Sequence, residues 1–241
     1  TPMSTLTHPQ PRTIGLIGGM SWESTALYYQ IINREVARRL GGLHSASLHL
    51  ISLDFADIAA RQRQQDWDGM GDILASAAQR LEASGADCVL IGTNTMHRVA
   101  PQVRSAIGVP LLHIADVTAD AILAQGLNKV GLLGTRFTME QPFYVDCLKA
   151  RGIEVVVPDE AGRAEVHRII FEELCQGSVR PESRVALQAI CAGLAGQGAQ
   201  GVVLGCTELP MILGAADVAL PLFDTTTLHA LAAVAFALAP A

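Results

Sequence analysis

Long apolar runs are missing from these 241 residues. No stretch approaches the roughly 18 uninterrupted apolar residues of a membrane span, so a bilayer is not an expected partner. Charge is sparse as well: charged residues make up 17% of the chain, the net charge is −6, and Lys and Arg form no block. Without a basic patch, nucleic acid is not an expected partner either. The five cysteines, at 88, 147, 175, 191 and 206, are an odd and scattered set without C-x-x-C spacing. They fit reduced thiols in a cytoplasmic protein better than a disulfide frame or a zinc site. No Walker motif and no metal-ligand cluster is present. Gly15-Leu-Ile-Gly18-Gly19 imitates a dinucleotide fingerprint but lacks the G-x-G-x-x-G spacing, so a dinucleotide is not expected. Residues 1–10 have no apolar h-region and read as a disordered tail, not as a signal peptide.

What is there is a large reserve of core. Half of the residues are hydrophobic, which suffices for a packed interior and leaves surface for a homodimer. The length suits one large α/β domain or two lobes of roughly 100 residues each. Internal repetition favours the second. Gly85-Ala-Asp-Cys-Val-Leu-Ile-Gly-Thr93-Asn94-Thr95 is echoed by Gly198-Ala-Gln-Gly-Val-Val-Leu-Gly-Cys206-Thr207-Glu208. Thr13-Ile-Gly-Leu-Ile-Gly18 resembles Lys129-Val-Gly-Leu-Leu-Gly134, and Val109-Pro-Leu-Leu-His113 resembles Leu220-Pro-Leu-Phe-Asp224. The intervals are 113, 116 and 111 residues, so three strand-like elements recur in one order at nearly one spacing.

Periodicity places strands at 14–17, 47–53, 88–91, 111–114, 130–133, 153–157 and 202–204. Helices are expected from 21 or 22 to 40, around 73–81, and over 142–151, 166–175, 184–194 and 228–238. The fold class that follows is α/β, with two pseudo-symmetric lobes, each a mainly parallel sheet flanked by helices. The lobes are drawn at 13–116 and 117–226, with a C-terminal helix at 227–239 packing back on the first. In such sheets ligands bind beyond the carboxyl ends of the strands. Facing tips would bring Thr93 of one lobe opposite Cys206 of the other, with the active site at the lobe interface.

Three segments carry a family resemblance. They are Gly18-Gly19-Met20-Ser21-Trp22-Glu23-Ser24-Thr25, Thr93-Asn94-Thr95-Met96-His97 and Gly205-Cys206-Thr207-Glu208. In content and order they resemble the aspartate/glutamate racemase family, from about Thr13 to the C-terminus. The resemblance implies racemisation of amino acids without a cofactor, and a dimer. Typical members carry a cysteine on each lobe. Here Thr93 stands at the first position, and Cys88 belongs inside the preceding strand. The pair is most like that of the bacterial YgeA-like broad-specificity racemases, in which Thr and Cys work together.

Inverting an amino-acid centre without a cofactor means removing the Cα proton on one face and supplying one on the other. A thiolate suits the task because its free pKa, roughly 8.5, lies near ambient pH. Cys206 is the expected base on one face, serving the L-enantiomer by resemblance, and Thr93 or its bound water serves the other. Donors must meet the substrate carboxylate as the carbanion forms. Asn94, Thr95 and Thr207 are assigned to that role, and Met20, Ser21, Gln62 and Glu208 complete the expected substrate-binding set. Aspartate-specific relatives hold the distal carboxylate with an Arg and a Lys, whose places fall on Gln62 and Cys175. Without those charge-assisted bonds the expected substrate widens from Asp or Glu to a neutral relative such as homoserine. Arg61, Arg63 and Arg136 are the cations able to compensate. Two alternatives stay open: a dicarboxylate decarboxylase or cis–trans isomerase using one cysteine, and a non-catalytic amino-acid-binding module.

Overall fold

The computed structural model describes residues 11–240. Its first half runs β1 (Ile14–Gly18), α1 (Trp22–Leu40), β2 (Leu48–Ser52), α2 (Phe55–Arg63), α3 (Trp67–Ala83) and β3 (Cys88–Ile91). A 3-10 turn (Thr95–Val99), α4 (Ala100–Ala106) and α5 (Ile114–Ala124) follow. The second half runs β4 (Lys129–Gly134), α6 (Arg136–Glu140), α7 (Pro142–Ala150), β5 (Glu154–Val156) and α8 (Glu160–Glu172). It closes with α9 (Pro181–Gly196), β6 (Val202–Gly205), β7 (Leu222–Asp224) and α10 (Thr225–Leu238).

The strands form two parallel sheets of orders β2-β1-β3 and β5-β4-β6-β7. The sheets are copies in topology, because each central strand pairs with the next strand on one side and the third on the other. The fourth member differs. β7 is a true strand, whereas its counterpart in the first sheet is a single bridge from Leu111 to Val89. The strand expected over 111–114 is thus cut short. His113 accepts the Ala115 N–H (3.1 Å) and so caps α5, which turns the chain helical at Ile114. α5 also spans residues 116 and 117, between which the sequence draws the boundary of the lobes.

Side chains of the inner strands alternate between two covered faces, as a parallel sheet requires. In the first sheet Ile14, Leu16, Cys88 and Leu90 pack under α1 and α10, while Ile17, Val89 and Ile91 pack with α3 and α4. In the second, Val130, Leu132 and Val203 face α5 and α7, while Leu133, Val202 and Leu204 face α8 and α9. Cys88 is buried in this core, as its place in the strand implies. α10 leaves the second sheet at β7 and lays Ala230, Ala233, Val234 and Ala237 against the first.

The expected helices at 166–175 and 184–194 are longer than their periodicity suggests. Asp159 accepts the Gly162 N–H (2.8 Å), starting α8 at Glu160, and α9 starts at Pro181. Among the described residues no helix is long and apolar enough to cross a membrane. The tail expected at 1–10 lies outside the described residues.

Candidate active site

The carboxyl tips of both sheets open onto one cleft of about 600 Å³, mouth included. Tight glycine turns bring the tips there. At Gly19, φ is +88° and an added Cβ would lie 2.1 Å from the Leu53 carbonyl oxygen, so only glycine fits between β1 and α1. At Gly205 a Cβ would lie 2.8 Å from the Leu133 oxygen, which keeps β6 close to β4 just before Cys206. Thr93 and Cys206, Met20, Ser21 and Gln62, Asn94 and Thr95, and Thr207 and Glu208 all line this cleft.

Cys206 is buried, and its thiol donates to Glu208 Oε2 at 2.9 Å. The same oxygen accepts the Thr207 hydroxyl (2.8 Å), and Oε1 accepts the Ser21 hydroxyl from the other lobe (3.3 Å). Burial first, and the Glu208 carboxylate second, push the Cys206 pKa well above its usual value. As it stands Cys206 is a thiol, a proton donor whose own proton points at a carboxylate.

Thr93 is half-buried at the tip of β3. Its backbone is held by His97, whose Nδ1–H donates to the Thr93 carbonyl (2.7 Å) and whose Nε2 accepts the Ile114 N–H (3.2 Å). Both ring nitrogens are thereby used, and His97 has a structural part only.

Asn94 is oriented by an unambiguous chain of bonds. The Thr225 hydroxyl gives its one proton to the Leu204 carbonyl (2.9 Å), so it must accept from the Asn94 amide nitrogen (3.1 Å). Asn94 Oδ1 is then left buried with no hydrogen-bond partner among the described residues. The Asn94 side chain thus holds Thr225 through its nitrogen and offers an unpaired acceptor through its oxygen. Thr95 meets Thr135 of the other lobe hydroxyl to hydroxyl at 3.4 Å, a contact that uses one proton and leaves the second free to donate. The Gln62 amide rests on Met96 Sδ (3.3 Å).

Several lining residues carry no mark in the sequence. Thr135 follows Gly134 as Gly19 follows Gly18, so the strand echo locates it. Phe55, Phe137, Ile170 and Phe171 come from α2, α6 and α8, where nothing in the repeat announces them. Cys175, from the 3-10 turn after α8, lines the cleft as well. Across the rim Phe137 stands edge-on to Trp67 of the first lobe (5.9 Å between ring centres), and Arg98 covers the indole at 4.1 Å. The compensating cations are not in the lining. Arg61 is ion-paired with Asp66, Arg136 lies 3.7 Å from Glu140, and neither they nor Arg63 reaches the cleft. No group of three or more His, Cys, Asp or Glu able to hold a metal occurs among the described residues.

Two parallel α/β lobes that pool their strand tips around one cleft lined by hydroxyls and thiols define a fold of the two-lobed racemase type. The chain belongs to the Asp/Glu/hydantoin racemase family, whose model matches residues 17–233. It is 49% identical to a candidate Asp/Glu racemase from Yersinia pestis, with a TM-score of 0.91 covering 95% of this chain and 100% of that one. An aspartate racemase homologue from Pyrococcus horikoshii OT3 is 36% identical, with a TM-score of 0.82 over 94% and 99% of the two chains. The broad specificity amino-acid racemase RacX of Bacillus subtilis is 25% identical over 88% of this chain and 92% of its own length.

Proposed function

We propose that this protein is a cofactor-independent amino-acid racemase in which Cys206 exchanges the Cα proton on one face and Thr93, or a water it holds, serves the other. The observation that carries the proposal is the Cys206–Glu208 pair at 2.9 Å inside the cleft. A buried thiol can deliver its proton to a carbanion directly. To remove one it must first lose its own, and Glu208 Oε2 is already the acceptor. Asn94 Oδ1, buried and unsatisfied, suits the substrate ammonium, because an unpaired buried acceptor costs about 1–3 kcal/mol that a charged donor would recover. The Thr95–Thr135 hydroxyls have a proton to spare for the α-carboxylate.

A hydroxyl is a poorer base than a thiolate, so the two faces work at different rates. The two enantiomers have equal energy, so kcat/KM must match in both directions. The asymmetry therefore shows as unequal kcat offset by unequal KM. The dicarboxylate decarboxylase or isomerase alternative fares worse, since a second carboxylate would meet Glu208 and no cation.

The test is Cα proton exchange followed by NMR in deuterated buffer. Cys206→Ala should lower exchange by at least about 100-fold, the usual weight of a general acid–base group. Thr93→Cys should raise kcat for the slower enantiomer. Unchanged exchange in Cys206→Ala would remove the thiol from the mechanism.

A further inference from the structure

We infer that the cleft selects amino acids whose side chain is apolar, seated against Phe137, Ile170 and Phe171, and that it discriminates against a second carboxylate. The inference rests on the racemase proposal for the same site and deepens it to a substrate class.

The cleft is divided by chemistry. Its polar groups, Thr93 to Thr95, Thr135 and Cys206 to Glu208, come from strand tips, where the reacting centre belongs. Apart from Met20 beyond the β1 tip, the apolar ones come from helices: Phe55 from α2 (which also brings the polar Gln62), Phe137 from α6, and Ile170 and Phe171 from α8. A substrate held by its α-groups at the strand tips points its side chain at the helices. Phe137 is fixed there by its edge contact with Trp67, so that wall is preorganised. Phe171, tilted against His167 with ring centres 4.7 Å apart, leaves 40% of its surface exposed and is free to be covered by a ligand.

Charge points the same way. Among the described lining residues Glu208 is the one carboxylate, and no Lys or Arg is present. On the helices that line the cleft, Arg61 pairs with Asp66, Arg163 with Glu140 at 3.1 Å, and Arg168 with Glu165 and Glu173 at 2.7 and 2.8 Å, while Arg63 is exposed and outside the lining. A distal carboxylate would be desolvated beside a second anion without a partner.

The experiment measures exchange kcat/KM in deuterated buffer for both enantiomers of Met, Leu and Phe, of homoserine, and of Asp and Glu. The apolar group should exceed homoserine by about tenfold and the dicarboxylates by about 100-fold, the scale on which pockets sort side chains. Phe171→Lys, a substitution at an exposed position, should narrow or reverse the gap between Met and Glu. Equal or faster exchange of Asp or Glu in wild type overturns the inference and leaves the racemase intact. If no amino acid exchanges, the racemase proposal falls instead, and calorimetric affinities for the same series decide the selectivity. Tighter binding of Met and Leu than of Asp upholds it; the reverse order, or no binding at all, overturns it.

Discussion

Glu208 sits where three hydroxyl or thiol protons converge, and its charge works against the ionisation of its neighbour. Burial and this carboxylate together hold Cys206 in the thiol form. Glu208→Gln removes the anion while keeping the side chain's shape, so the thiol should become more acidic. Alkylation of Cys206 by iodoacetamide should then move its midpoint to lower pH. Proton exchange should nonetheless fall by about 100-fold, since the acceptor for the thiol proton is gone. Faster alkylation with undiminished exchange would show that Glu208 only perturbs the thiol. Gly-Cys-Thr-Glu marks all these residues in the sequence, but not their bonding. Whether Glu208 faces the substrate or Cys206 depends on Ser21, which arrives from the other lobe. The orphaned oxygen of Asn94 was equally illegible, because it is set by Thr225, far along the chain.

Helices with long apolar stripes toward the core were readable, and the short α2 and α6, whose aromatic residues turn toward the cleft, were not. α1, α3 and α10 bury regular stripes, and their periodicity gives them away. α2 buries only Ile58, and α6 only Thr138 and Met139, because Phe55 and Phe137 turn toward the site. Caps decide the remaining boundaries. Asp224 Oδ1 accepts the Thr226 and Thr227 N–H groups (3.1 and 3.3 Å), and Oδ2 accepts the Thr227 hydroxyl (2.6 Å). That cap starts α10 on three threonines, residues with poor helix propensity. Asp224→Ala should lower stability by about 1 kcal/mol in urea denaturation, the usual weight of a lost N-cap. It should also weaken catalysis, since the next residue, Thr225, holds Asn94. A stability loss with full activity would uncouple the helix start from the site.

At the scale of the molecule the halves are joined by buried histidines. His97 meets His113 and His229 edge to face, with ring centres 4.6 and 5.7 Å apart. His229 accepts the Tyr28 hydroxyl and donates to the Leu112 carbonyl, both at 2.7 Å, which ties α10 to the first lobe. Burial lowers all three: His97 well below its usual value, and His113 and His229 to about 4. They are neutral when folded, whereas in the unfolded chain a histidine titrates near 6.5. The unfolded state therefore binds more protons between pH 6.5 and about 4, and stability falls as pH drops through that window. The urea midpoint should be lower at pH 5 than at pH 7.5, before the carboxylates contribute. A flat profile would mean the histidines are not buried together. The repeat intervals made the two lobes visible in advance, but this joint was not, because it unites residues from separate repeats.

The rim contact between Trp67 and Phe137 has a consequence of an optical kind. The chain has two tryptophans. Trp22 is 67% exposed and emits as an indole in water, at the red end. Trp67 lies beneath a guanidinium and against a phenyl ring carried by the opposite lobe, with its ring nitrogen buried. Its emission should therefore lie to the blue of that of Trp22 and shift toward the red when Arg98 and Phe137 draw away. The protein thus carries its own ruler across the cleft mouth, readable without any label.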